Sequence, residues 1–166
     1  MIRDATEADL SGILAIYNDV IATSTAVYAD DPVPLDERRR WLEARWALSY
    51  PVLVAVEGDT VVGFASFGDF RAWPGYRHSC EQSVHVRADQ RGMGVGRRLV
   101  EALFPRAEAL GKHVMLAAVD ADNAASINFH ERLGFVRVGH FREVGRKFDR
   151  WLDLVFLQRF LGPPPA

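Results

Sequence analysis

At 166 residues, 49% apolar and 25% charged, the chain has the make-up of one globular domain that buries a core without staples. A formal net charge of -2 excludes a general pull toward nucleic acid or an anionic membrane, so any anionic ligand must be drawn locally. The lone cysteine, Cys80, excludes an internal disulfide framework and suits a reducing cytoplasm. The opening "MIRDATEADL" meets acidic residues before any apolar run, unlike a secretory leader, and no stretch approaches the ~20 apolar residues of a membrane span.

"IRDAT" reads as a short strand, after which Thr6 with Asp9 offers a helix N-terminus, a hydroxyl cap followed by an acid. Helical spacing of Leu10, Ile13, Leu14, Tyr17, Val20 and Ile21 predicts a helix over 8–22. A loop and a second helix follow, begun after Pro34 and stopped by Pro51; its Glu37-Arg38-Arg39-Arg40 run reads as a solvated helix face rather than a nucleic-acid patch. Two β-rich runs around Glu57-Gly58-Asp59 make a hairpin, with Gly58 supplying positive φ. Residues 71–79 are a turn-rich excursion, and "CEQSVHVR" is a strand with alternating faces.

A glycine-rich segment then leads into a helix over 96–111, where Pro105 removes one hydrogen bond and is expected to bend or fray the helix. A strand over 113–120, a short helix over 123–134 closed by Gly134, and strands over 135–145 and 147–161 complete the order. The tail "GPPPA", 162–166, is expected to be disordered or polyproline-like. The sum is one domain over 1–161, a mixed α/β sheet with helices on both faces and no internal repeat or linker.

The segment "DQRGMGVGRRLVEAL" carries the chemistry. A strand ending at Val86, a bend with Gly92, Gly94 and Gly96, and a helix start make an anion site: the first helical N–H groups lack partners and the helix dipole adds positive potential. Arg91, Arg97 and Arg98 add mobile positive charge beside it. A Walker loop needs G-x-x-x-x-G-K-[ST], which is absent. A dinucleotide fingerprint needs glycine at 97, which is Arg.

Gln90-Arg91-Gly92-Met93-Gly94-Val95-Gly96 resembles the Q/R-x-x-G-x-G/A loop of the GNAT N-acetyltransferases, which holds the pyrophosphate of acetyl-CoA. "DADNAASINFHERLGF" is similar to that family's second conserved region, and the likeness covers almost the whole chain. Closer likeness, in "IYNDVI", "YRHSCEQSVHV" and "GRKFDRWLDL", points to the subgroup acetylating phosphinothricin, methionine sulfone and methionine sulfoximine. The resemblance implies a GNAT fold: a mostly antiparallel central sheet of about seven strands flanked by about four helices. It implies direct acetyl transfer from acetyl-CoA, as co-substrate, to a small-molecule amine.

An amine attacks a thioester only as the free base, so the site needs a proton acceptor, an oxyanion donor and a proton source for the thiolate. The resemblance makes Glu81 the base, the Val84 N–H the oxyanion donor, and His130, where many relatives carry Tyr, the acid. It places pantetheine along Val84, His85 and Val86, with Asn123 and Ser126 near its acetyl end, and the pyrophosphate on 91–97. Alternation puts Glu81, Ser83 and His85 on one strand face.

No His pair has metal-ligand spacing, so no metal is expected. Cys80 reads as a small buried residue rather than a nucleophile. "FRAWPGYR" offers Arg71, Trp73, Tyr76 and Arg77 for the acceptor, with Tyr28 as a lid residue. Relatives are often homodimers, and the resemblance implies one here. Competing readings are a peptide, protein or polyamine acetyltransferase, and a non-catalytic CoA-binding regulatory domain.

Overall fold

Apolar residues alternate along the central strands, and the two sets they form go to opposite faces of one sheet. In the computed structural model, which describes residues 1–162, Val52, Val54 and Phe64 pack with Leu10, Ile13, Ile16 and Leu42. Their neighbours Leu53, Ala55, Ala65 and Phe67 pack with Leu99, Val100 and Leu103. The chain order is β1 (Ile2–Asp4), α1 (Leu10–Thr23), α2 (Leu35–Ala47), β2 (Val52–Glu57), β3 (Thr60–Asp69) and β4 (Ser79–Val86). There follow α3 (Val95–Ala109), β5 (Val114–Asp120), α4 (Ala124–Arg132), β6 (Val136–Lys147) and β7 (Arg150–Phe160). Helices α1 and α2 thus cover one face, and α3 with α4 the other. The tail expected to be disordered lies, past Gly162, outside the described residues.

The seven strands lie in the order β1-β2-β3-β4-β5-β7-β6. Every neighbouring pair is antiparallel except β4 and β5, which are parallel and joined through α3. That parallel pair is short: Ser79, Cys80 and Glu81 face Val114, Met115 and Leu116, and pairing stops there. Beyond that point β4 stays paired with β3 as far as Val86, and β5 with β7 as far as Asp120. The middle of the sheet is therefore a fork.

Local chemistry sets the element ends. Asp9 accepts from the Thr6 N–H (2.7 Å) and hydroxyl (2.9 Å) and takes both guanidinium nitrogens of Arg3 (2.7 and 2.8 Å). Those bonds hold the Asp9 carboxyl down at about 2 and draw 7–9 into a 3-10 turn, so α1 begins at Leu10 rather than at 8. Helix α3 does not fray at Pro105, because Leu103 and Ala107 on either side are buried against the sheet. The expectation of a solvated face over Glu37-Arg38-Arg39-Arg40 is corrected at one residue: Arg38 is buried to 5% exposure beside the fully buried Leu42, while Glu37 and Arg40 are exposed.

At the far end of α1, Lys147 of β6 inserts its ammonium among three carbonyls, Ile21 (2.6 Å), Ser24 (2.7 Å) and Val27 (2.8 Å). It caps the helix C-terminus and fixes the loop that follows. Replacing it by methionine leaves those acceptors unsatisfied, and we expect Lys147→Met to cost about 3 kcal/mol. Calorimetry should read this as a Tm lower by roughly 6 to 12 °C; an unchanged Tm would refute the capping role.

Candidate active site

Where β4 and β5 part, a cleft of about 410 Å³ opens between them. The pleat of β4 gives it two kinds of wall: Glu81, Ser83 and His85 toward α1 and α2, Gln82 and Val84 toward α3 and α4. Residues 118–120 of β5 and the start of α4 form the opposite side, and the loop after α1 adds Tyr28. The fork thus brings Glu81, Val84, His85, Asn123, Ser126, His130 and Tyr28 to one cavity.

Glu81 forms no ion pair among the described residues, and burial alone pushes its carboxyl above the ordinary range. His85 stands edge-on to Tyr17 (5.7 Å between ring centres) and tilted on Phe64 (5.2 Å). Burial, then the charges of Arg38 and Arg91, push its imidazole down to about 4, so it is neutral. His130 is buried, with Nδ1 at 2.7 Å from the Ser126 carbonyl and Nε2 at 2.7 Å from Gln82 Nε2. The Ser126 carbonyl can only accept, so Nδ1 carries the proton and Nε2 accepts from the Gln82 amide. Burial also moves the His130 pKa down, and the resting group holds no proton on Nε2.

Asn123 caps α4, its Oδ1 accepting from the Ser126 N–H at 3.0 Å, which leaves its amide nitrogen for a ligand. Tyr28 donates to the Asp153 carbonyl (3.1 Å), and its ring lies where a side chain at Gly145 of β6 would stand. Burial and neighbouring carboxylates push its phenol to about 12.

The glycine bend lies past the end of β4. Gly92 and Gly94 have φ of 76° and 77°, a left-handed region that other residues resist, and Gly94 is the N-cap of α3. The first N–H groups of that helix, from Val95 and Gly96 on, therefore open onto the bend. Arg91 folds back to donate to the Val86 carbonyl (3.2 Å), Arg97 pairs with Glu101 (2.8 Å), and Met93 is exposed.

Arg71, Trp73, Tyr76 and Arg77 lie outside the cleft lining. Trp73 is 74% exposed, Tyr76 and Arg71 both rest on Phe70, and Arg77 donates to the Pro74 carbonyl (2.9 Å). Among the cleft residues absent from the sequence reading of the site are Arg38, Trp41 and Arg45 of α2. The signal was their spacing with Leu42, which puts all four on one helical face.

Cys80 is buried, and its thiol is pushed up to about 12, so it holds no thiolate. No cluster of three His, Cys, Asp or Glu able to hold a metal occurs among the described residues, and no helix is long and apolar enough to cross a membrane.

The profile of the acetyltransferase (GNAT) family matches residues 13–135. The chain is 52% identical over 163 residues to the L-methionine sulfoximine/L-methionine sulfone acetyltransferase of Pseudomonas paraeruginosa, covering 98% of this chain and 95% of that one. It is 33% identical over 166 residues to the phosphinothricin N-acetyltransferase of Streptomyces coelicolor, covering 95% and 94%. Among solved structures, it superposes with a TM-score of 0.94 on a GNAT superfamily phosphinothricin acetyltransferase from Sinorhizobium meliloti in complex with acetyl-CoA. That pair is 34% identical and covers 98% of this chain and 88% of the other.

The His130 geometry predicts a neutral imidazole protonated at Nδ1 at neutral pH, titrating below an unperturbed histidine. Nitrogen-15 NMR of the imidazole checks both statements, and an Nε2–H tautomer would contradict the assignment.

Proposed function

The chain belongs to the acetyltransferase (GNAT) family, and from that premise we propose that it transfers acetyl from acetyl-CoA to the amine of a small amino-acid substrate. The acceptor class we favour is that of its relatives: methionine sulfone, methionine sulfoximine or phosphinothricin. The observation that carries this reading is the fork, which ends at a glycine bend and has a desolvated, unpaired carboxylate on one wall.

The fork suits an extended thioester arm. Beyond Glu81 the β4 edge facing β5 has no strand partner, so its backbone groups remain to be satisfied by a ligand. In this reading Val84, His85 and Val86 bind the arm along that edge, with Asn123 and Ser126 beside it. Residues Arg91, Gly92, Met93, Gly94, Val95, Gly96 and Arg97 hold the pyrophosphate on the α3 N-terminus. Acetyl-CoA supplies the activated thioester, and no metal takes part.

Glu81 takes the proton of the acceptor amine, and the Val84 N–H donates to the thioester oxygen as charge builds there. His130 faces the departing thiolate. It can give a proton only after gaining one from solvent, to which Glu81 returns the amine proton, and Gln82 suits it to do so: the amide Oε1 has no partner, and a half-turn would set that oxygen against a protonated Nε2. Arg71, Trp73, Tyr76 and Arg77 would reach the acceptor from outside the cleft, with Tyr28 over it.

Two copies are proposed to pair through the apolar surface continuous with that outer segment. Tyr76, Phe70, Phe156 and Phe141 form an edge-to-face series, in which Tyr76 and Phe141 are exposed, and Trp73 of the same segment is exposed too. One domain over 1–161, working in the cytoplasm, accords with the single sheet and the free, buried Cys80.

Thiol release from acetyl-CoA tests the reaction. Turnover is expected with methionine sulfone, methionine sulfoximine or phosphinothricin; turnover confined to a basic peptide or polyamines would overturn the acceptor class, and CoA binding without turnover would favour a regulatory domain. The Glu81 role has its own test. The base must be ionised, so kcat falls as pH drops through a pKa raised above the carboxylate range. Glu81→Gln should remove that acidic limb and lower kcat by roughly 10²- to 10⁴-fold with acetyl-CoA affinity kept. Loss of affinity with turnover retained would refute the assignment.

A further inference from the structure

Two guanidiniums face the cleft with no carboxylate to meet them. Arg38 is 5% exposed and lies over the rings of Tyr17 (3.8 Å) and Trp41 (4.4 Å). Arg45, two helical turns further, lies 5.9 Å from the Trp41 ring. The Nε of each is buried without a hydrogen-bond partner, and neither forms an ion pair among the described residues. Asp69 is committed to Tyr50 and Lys112, so only its longer-range field reaches Arg45.

Aromatic faces offset part of the charge and Tyr17 supports the Arg38 fork, but the buried Nε of each guanidinium stays without a partner. Arginine cannot escape by deprotonation, so two half-satisfied forks beside one cavity are costly unless something else completes them. Burial works against both charges, pushing the two pKa values down.

A glycine confirms that the placement is built in. Gly68 of β3 faces Glu81 of β4 across the sheet, and the Arg45 guanidinium occupies the space where a Cβ at 68 would stand. Any side chain there would displace Arg45 from its seat on β3, next to the strand that carries Glu81. A glycine inside a strand is otherwise unfavourable, and here its missing side chain is the room the cation uses.

We infer that Arg38 and Arg45 form the anion end of the acceptor site, taking an oxygen-bearing group of the amino-acid substrate while its amine lies toward Glu81. The inference rests on the acceptor reading above. Two groups of such a substrate share this chemistry, the α-carboxylate and the tetrahedral side-chain head, and forked guanidinium donors fit either.

Titration calorimetry with CoA bound distinguishes them, using methionine sulfone, its carboxamide (no carboxylate) and methionine (no sulfone oxygens). Wild type should bind the sulfone more tightly than at least one analogue. Arg38→Gln should weaken the sulfone by roughly ten- to hundredfold and leave that analogue unchanged, which identifies the group contacted. Gly68→Ala, which keeps both charges but displaces Arg45, should give a smaller loss of the same pattern, with CoA affinity intact in both variants. Equal losses for all three ligands, or no loss, would overturn the proposal. Selective binding by wild type without thiol release would instead sink the catalytic reading and leave the anion site standing.

Discussion

A parallel pair of strands that parts after Glu81 and Leu116 is the constraint on which the rest of this molecule depends. Parallel strands need a crossover, and α3 provides it, so the helix N-terminus necessarily arrives near the free end of β4. The same parting leaves one edge of β4 without a ladder partner while β3 secures the other through Val86. Backbone groups in that position require a partner from outside the chain or from water. The N-terminus of α3 and the unpaired edge are therefore consecutive stations along one line, set by topology before any side chain is considered.

Burial then sorts the ionisable groups that face the fork. Removing water disfavours charge, so acids and bases move in opposite directions. The Glu81 carboxyl rises and becomes a better proton acceptor when ionised; His85 falls to about 4 and His130 falls too, so both are neutral. Only the guanidiniums keep their charge regardless of surroundings. A cleft lined this way favours an anionic group and an uncharged base over a cation.

Much of the fold was legible because its signals are local. The period-two runs of β2 and β3, the helical stripe of α1, and the strand–glycine–helix succession at 84–96 each lie within one element and its neighbour. The cleft members Glu81, Val84, His85, Asn123, Ser126 and His130 followed from their place in those runs and from family likeness. Helix α2 was placed correctly between Pro34 and Pro51, but the burial of Arg38 was missed for a physical reason. The face it turns inward is Arg38, Trp41, Leu42 and Arg45, of which Arg38 and Leu42 are buried; half of it is cationic, so a search for an apolar stripe finds almost none and assigns Arg38 to water. Their burial is possible because Tyr17 of α1 and Trp41 supply ring faces, a tertiary arrangement with no trace in the α2 segment alone. The Gln82–His130 contact was hidden likewise, since it joins β4 to α4 across the fork.

The glycines show the same division between local and distant causes. Gly92 and Gly94 are needed for backbone conformation, with positive φ at the entry to α3, and such a need announces itself as a cluster. Gly96, the third of the set, has no such φ, and a side chain there would make only ordinary contact with Phe129 and Val86. Gly68 and Gly145 serve space instead. One admits the guanidinium of Arg45 and the other the ring of Tyr28, each sent from a different element, and both flank the cleft. Isolated glycines inside strands β3 and β6 carry no motif, yet they fix where a cation and an aromatic wall stand relative to Glu81. The conspicuous glycines locate the α3 end of the cleft, and the inconspicuous ones shape the end where Arg45 and Tyr28 stand.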